Sequence, residues 1–60
     1  RMFEYGDSVR VKATGEIGII CDIRSTEKQK RYIIDKQPYT HADNADEWLI
    51  EAAENELEPQ

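Results

Sequence analysis

The chain has 60 residues, a net charge of −5 and a single cysteine, and these values exclude several classes of protein. A domain of this size buries only about 60% of the surface that its unfolded chain exposes, so it holds one small core. One cysteine, Cys21, excludes an intrachain disulfide, and with His41 as the only histidine a Cys/His zinc site is excluded as well. No apolar run approaches the roughly 20 residues that span a bilayer, so we expect no membrane segment.

The first two residues indicate where the natural chain begins. Arg1 precedes Met2, which indicates that Arg1 remains from cloning and that Met2 is the natural first residue. We predict a single domain over residues 1–60, without internal repeats. The unpaired thiol favours a reducing, cytoplasmic location.

The first predicted strand and its turn follow from local pattern. Polar and apolar residues alternate over Ser8–Ala13, which predicts a half-buried strand with Ala13 on its inner side. Residues 14–16 have turn composition, and we expect Gly15 to take a positive φ.

The second predicted strand, residues 17–24, has two alternative registers. Strict alternation would bury Ile17, Ile19, Cys21 and Ile23. A bulge at Gly18 would instead turn Ile17, Ile20 and Ile23 inward, and we favour this register because it buries more aliphatic surface. We expect the thiol of Cys21, within an apolar strand, to be buried, structural and unreactive.

Three further strands are predicted in the remaining chain. Residues 25–30 form a loop, residues 32–34 a strand with Tyr32 and Ile34 inward, and residues 37–46 a surface loop. Residues 47–50 form a fourth strand, residues 52–55 a 3₁₀ turn and residues 56–58 a fifth strand that Pro59 ends. A helix over residues 46–57 is the alternative, since Glu, Ala and Leu favour helices. The predicted core consists of Val9, Val11, Ile20, Ile23, Ile34 and Leu57.

Glycines at turns and aliphatic residues in strands recur at defined spacings. They are Gly6-Asp7-x-Val9-x-Val11, Gly15-x-x-Gly18-x-Ile20-x-x-Ile23, Tyr32-x-Ile34, Trp48 and Glu56-Leu57-Glu58-Pro59. This pattern resembles the SH3-like small β-barrel superfamily, in particular its KOW-type and bacterial or phage SH3-like modules. The resemblance implies an all-β, five-stranded antiparallel barrel with a 3₁₀ turn before the last strand. The acidic and aromatic signature of proline-binding SH3 domains is absent, so polyproline recognition does not carry over.

Charge is distributed unevenly along the chain. Residues 1–36 have a net charge of +2, whereas residues 37–60 have a net charge of −7 and contain no Lys or Arg. An acidic half repels nucleic acid, because each phosphate contact needs a cation. Contact with nucleic acid or a ribonucleoprotein, which the resemblance to KOW modules implies, is therefore the second interpretation. Its candidate residues are Arg10, Lys12, Lys28, Lys30 and Arg31.

The favoured interpretation is a non-enzymatic interaction module that binds a protein or peptide. Its candidate residues are Tyr5, Tyr39, Glu47 and Trp48, because aromatic side chains dominate protein interfaces and an acidic surface suits a basic partner. In an alternative role, Trp48 covers one mouth of the barrel. A third interpretation is self-association, in which an exposed strand edge pairs with a second copy.

The sequence contains no arrangement of residues that is typical of a catalytic or metal-binding site. Cys21 and His41 do not form a convincing nucleophile and base, and Ser8 and Ser25 have no base beside them. The polar residues 41–46 lack the spacing and glycine of a calcium loop. We therefore predict no enzymatic activity, no metal and no cofactor.

Overall fold

The computed structural model describes residues 3–36 and 48–60, which form five antiparallel strands in one sheet. The strands are β1 (Ser8–Val11), β2 (Ile17–Ser25), β3 (Lys30–Asp35), β4 (Leu49–Ala53) and β5 (Leu57–Pro59). A 3₁₀ turn over Glu54–Glu56 connects β4 to β5. The order across the sheet is β4-β3-β2-β1-β5, so β4 and β5 are its two edges and the sheet is not closed. The all-β class and the five strands are confirmed.

The hydrophobic core lies on one face of this curved sheet. Its buried members are Phe3, Val9, Val11, Ile20, Tyr32, Ile34, Ala52 and Leu57, and Ile23 and Ile50 pack against them. All six predicted core residues are therefore confirmed. The rings of Phe3 and Tyr32 meet edge to face, with centroids 5.6 Å apart. The segment before β1 thus contributes directly to the core.

The first strand is shorter than predicted. It ends at Val11, and residues 12–14 already form the turn, so Ala13 is exposed and its predicted inward position is wrong. Gly15 has a φ of +80°, as expected. The N–H groups of Thr14 and Gly15 both donate to the Val11 carbonyl, at 3.3 and 2.7 Å, which closes the turn immediately after β1.

The bulge in β2 lies at Cys21 and not at Gly18. The register with β3 shifts between Ile20 and Asp22, whereas Gly18 pairs regularly with Val9. Gly18 and Ile20 therefore face the core, and the extra residue at Cys21 returns Ile23 to the same face. The predicted burial of Ile17 is wrong, because the side chain is 45% exposed on the opposite face.

The carboxy-terminal elements are displaced by about two residues from their predicted positions. The strand begins at Leu49 and continues through Ala53, so the 3₁₀ turn starts at Glu54 and not at residue 52. The helical alternative is wrong for residues 49–53. Ala52 lies opposite Tyr32 in the ladder, and this pairing overrides the helix propensity of alanine. Pro59 is the last residue of β5, an edge position that proline tolerates. The predicted loop over residues 37–46 lies outside the described residues.

Candidate functional site

The face of the sheet opposite the core, called the outer face below, divides into an apolar part and a charged part. The register places Ser8, Ile19, Asp35 and Leu49 in one row across β1 to β4, and Arg10 beside Ile17 in the neighbouring row. On the other side of the first row lie Asp22, Ile33 and Glu51, followed by Arg24 and Arg31.

The apolar part carries the exposed large hydrophobic residues of the described chain. These are Tyr5, Ile17 and Leu49, which are 64%, 45% and 37% exposed. Ile19 lies two residues from Ile17 on the same face of β2 and is half-buried, and Asp35 of β3 lies between Ile19 and Leu49 in the ladder. We call Ile17, Ile19 and Leu49 the apolar stripe. The Tyr5 hydroxyl donates to Asp22 Oδ1 at 3.3 Å, which keeps its ring beside the outer face.

The charged part is neutralised internally. Arg31 Nε donates to Glu51 Oε2 at 2.7 Å, and the Arg24 guanidinium lies 3.9 Å from both Asp22 and Glu51. Ile33 lies between Asp22 and Glu51 in the register. The Arg24 side chain reaches from β2 toward Glu51 on β4 and therefore crosses over β3 beside Ile33. This explains why Ile33 is only 9% exposed although it lies away from the core. Exposed pairs of this kind add little stability, and they leave few uncompensated charges.

The predicted interface residues are only partly described. Tyr5 contacts β2 through Asp22, while Trp48 directly precedes β4, so one strand separates the two positions. Trp48 also lies three positions from Glu51, the residue level with Asp22, and strand alternation places it on the face of Ile50, so the structure does not bring Tyr5 and Trp48 together on the outer face. Tyr39 and Glu47 lie outside the described residues. Ile17, Ile19 and Leu49 were not among the predicted interface residues.

Trp48 is half-buried and has an unusual polar environment. Its carbonyl accepts a hydrogen bond from the Lys36 N–H at 2.8 Å, which continues the β3–β4 ladder beyond Leu49. The indole Nε1 is buried and has no hydrogen-bond partner among residues 3–36 and 48–60. A buried N–H without an acceptor costs free energy. Strand alternation directs the indole to the side of Ile50 and Ala52, so its buried N–H is not part of the outer face.

The Lys36 side chain fixes the turn that precedes Ile17. Its Nζ donates to Glu16 Oε2 at 2.9 Å, and the Thr14 hydroxyl donates to the other oxygen of that carboxylate at 3.0 Å. These two hydrogen bonds, that from Lys36 first, hold the pKa of Glu16 below its ordinary value. The start of β2, and with it one end of the apolar stripe, is thereby tied to the end of β3.

The five candidate nucleic-acid residues do not form one surface. Arg10 and Arg31 lie on the outer face, where they donate to Gln60 and Glu51 respectively. Lys28 and Lys30 line a shallow depression of about 380 Å³ beside the 3₁₀ turn. Lys12 lines a second depression, of about 420 Å³, on the other side of that turn. Glu54 lines both depressions, so each mixes positive and negative charge.

Cys21 is exposed, so the predicted buried thiol is wrong. The bulge turns this residue out of the alternation, and its Sγ donates to the Ile33 carbonyl at 3.5 Å. The pKa of the thiol is raised, first by partial desolvation and then by Asp35 and Asp22. The thiol is therefore accessible but is held in its less reactive protonated form.

We expect a disulfide reagent such as dithionitrobenzoate to label Cys21 in the native protein without unfolding. Labelling at neutral pH should be slower than in urea, because the raised pKa leaves less thiolate in the folded state. The rate should increase as the pH rises through and beyond 9.0, the ordinary value for cysteine. Labelling that requires global unfolding, measured by its dependence on urea, would contradict the exposed position.

In the described ranges, no group of three or more His, Cys, Asp or Glu side chains is placed to hold a metal ion. Within the same ranges, no helix has the length and apolar character required to cross a bilayer.

Comparison of this chain with protein-family models, with curated proteins and with solved structures finds no match.

Proposed function

We propose that this chain is a non-enzymatic interaction module that binds a protein or peptide through the apolar part of its outer face. The observation that carries the proposal is the placement of Tyr5, Ile17 and Leu49, whose exposed apolar groups lie on or beside one face while the core occupies the other. Exposed apolar groups that cluster in this way are typical of interaction surfaces.

We further propose that the sheet belongs to a small SH3-like barrel, of the KOW-type or of a bacterial or phage type. Two features support this interpretation. The first and last strands are neighbours while β2, β3 and β4 follow in sequence, and a 3₁₀ turn immediately precedes the last strand. A cytoplasmic location is part of the same proposal, supported by the unpaired and exposed thiol of Cys21.

A protein partner is favoured over nucleic acid by the arrangement of charge. Arg10 and Arg31 are already engaged by Gln60 and Glu51, and acidic groups accompany the lysines beside the 3₁₀ turn. Nucleic-acid binding needs several cations on one face, each replacing counterions at a phosphate. The net charge of −5 opposes such binding further.

To test the proposal, the immobilised domain would be used to isolate a partner from cells of the source organism, and affinity for the purified partner would be measured by calorimetry. We expect Ile17→Ser, Leu49→Ser and Tyr5→Ala each to reduce binding by about 1–2 kcal/mol, as interface anchors commonly do. Each variant removes an exposed side chain, so the fold should be retained.

The control variant reverses Lys28 and Lys30 to glutamate, which alters the depression beside the 3₁₀ turn and leaves the apolar stripe intact. It should bind the partner as the wild type does. Loss of binding in this control together with wild-type binding by the three apolar variants would refute the proposal. If that binding also weakened steeply with salt, nucleic acid would be the ligand.

A further inference from the structure

We propose that the outer edge of β4 binds an extended segment of the partner protein as an additional strand of the sheet, and that this segment alternates basic and apolar residues. The inference rests on the proposed function and gives it a mode of binding and a class of partner. It follows from the hydrogen-bond pattern of β4, from the composition of the two sheet edges and from the charge of this part of the chain.

The first step is the phase of the β3–β4 ladder. The Lys36 N–H donates to the Trp48 carbonyl at 2.8 Å, which identifies this pair as a hydrogen-bonded one. Hydrogen-bonded and non-hydrogen-bonded pairs alternate in an antiparallel ladder. Ile50 and Ala52, at the next two even positions, therefore direct their backbone groups toward β3.

The residues between them direct their backbone groups the other way. Leu49 and Glu51 turn their N–H and C=O groups toward the open side of the sheet. Ala53 has the same phase, and its N–H donates to Glu56 Oε1 at 2.7 Å and not to β3. Among the described residues, no backbone partner lies beyond Leu49 and Glu51. The edge thus offers two donors and two acceptors in strand spacing.

The two edge strands differ in length and composition, and this difference favours β4 as the edge that accepts an added strand. The other edge, β5, has three residues and ends in Pro59, two features that discourage the addition of a strand. By contrast, β4 has five residues, Leu49–Ala53, and contains no proline and no lysine. Among the described strands, β4 is therefore the edge without these protections.

The side chains along β4 determine what an added strand would carry. Ile50 is only partly buried at the rim of the core, so apolar side chains beside it would extend the core. Glu51 lies on the outer face with its side chain 44% exposed but already pairs with Arg31, so the preference for basic residues rests on the net charge of residues 37–60 and not on Glu51 alone. Leu49 would pack against the aliphatic stem of a basic residue.

Charge also favours such a partner over a second copy of this chain. Residues 37–60, which include β4, have a net charge of −7 and contain no Lys or Arg. Two copies would each bring a net charge of −5 to the contact, and antiparallel pairing centred on Glu51 would place two carboxylates opposite each other. A basic extended segment avoids both the repulsion between two negative chains and the pairing of two carboxylates.

The test uses the acetylated and amidated peptide Lys-Val-Lys-Val-Lys-Val-Lys as the probe. We expect its binding to slow amide hydrogen exchange at Leu49 and Glu51 by at least about tenfold, because both N–H groups acquire acceptors. The Ile50 amide, already bonded to β3, is the internal control and should change far less. A Glu-Val peptide of the same pattern should bind at least about tenfold more weakly.

Backbone pairing is separated from side-chain contact by two matched peptides. N-methylation of the lysines removes the N–H groups that would face β4 and should weaken binding by at least about tenfold. N-methylation of the valines modifies the opposite edge of the peptide and should weaken binding much less. In the protein, Glu51→Pro removes one outward donor and should abolish protection at Leu49, whereas Glu51→Gln keeps the donor and should retain most binding.

The outcomes distinguish this inference from the proposed function. If the partner binds through the apolar stripe but both N-methylated peptides bind equally, strand addition is wrong and the interaction surface stands. Slow exchange at Leu49 and Glu51 in the free protein would show an edge already occupied and overturn the inference, as would the absence of any peptide binding. A dimer in sedimentation with protected Leu49 and Glu51 amides would identify a second copy as the occupant and overturn the basic partner.

Discussion

Gly18→Ala is expected to lower the free energy of unfolding by about 3 kcal/mol, at the upper end of the usual cost of overpacking a core. A Cβ at this position would collide with the Ile34 side chain and would lie 2.6 Å from the carbonyl oxygen of Asp35. The side chain of Ile34 is fully buried, and the second obstacle is backbone in the neighbouring strand. Neither can move without separating β2 from β3.

Gly15→Ala is the matched control for this prediction. Gly15 also requires glycine, because its φ is +80°, but a Cβ there would meet no atom within 4 Å. Its cost is that of left-handed backbone alone, about 1–2 kcal/mol. Urea unfolding followed by the fluorescence of Trp48 measures both variants. A cost for Gly18→Ala no larger than that of Gly15→Ala would show that β2 and β3 are not in such close contact.

The close approach at Gly18 also explains which part of the sheet could be predicted. The inward positions of Val9, Val11 and Ile34 follow from local alternation, which needs no knowledge of neighbouring strands. The site of a bulge depends on what lies across the sheet. A lone glycine suggested the bulge, yet Gly18 is required by the contact with Ile34, and the extra residue is Cys21.

Prediction of the candidate site from the sequence is limited in the same way, because strand pairing is not visible in the sequence. Tyr5 and Trp48 were selected by residue type, and residue type is independent of register. The exposure of Ile17 and Leu49 follows only from strand pairing, which assigns both to the outer face, whereas local pattern predicts burial for Ile17. The displaced end of β4 has a similar origin, because Ala52 and Ala53 favour helix locally and are strand through pairing with β3.

Tyr32→Ala is the second substitution with a large expected effect, about 3–5 kcal/mol, comparable to the loss of other buried aromatic side chains. Tyr32 is fully buried and packs edge to face with Phe3. Its hydroxyl accepts from the Phe3 N–H at 3.3 Å and donates to Glu54 Oε1 at 3.0 Å. One side chain thus connects the segment before β1 to the 3₁₀ turn through the core.

Tyr32→Phe measures the contribution of the hydroxyl to stability separately from that of the ring. The variant retains the aromatic packing but removes an acceptor from Phe3 and a donor from Glu54, and we expect a loss of about 1–3 kcal/mol. Urea unfolding at neutral pH measures the loss. A variant as stable as the wild type would show that the hydroxyl contributes nothing to the connection between the two segments.

The same variant tests how the free energy of unfolding depends on pH. The pKa of Tyr32 is raised above the ordinary 10.0, first because burial disfavours the phenolate. Above that pH the unfolded chain releases the proton while the folded protein retains it, so the free energy of unfolding falls as the pH rises through 10.0. Tyr32→Phe lacks this contribution, and the wild type should lose its stability advantage over the variant as the pH increases. Parallel curves for wild type and Tyr32→Phe would contradict the buried environment of this hydroxyl.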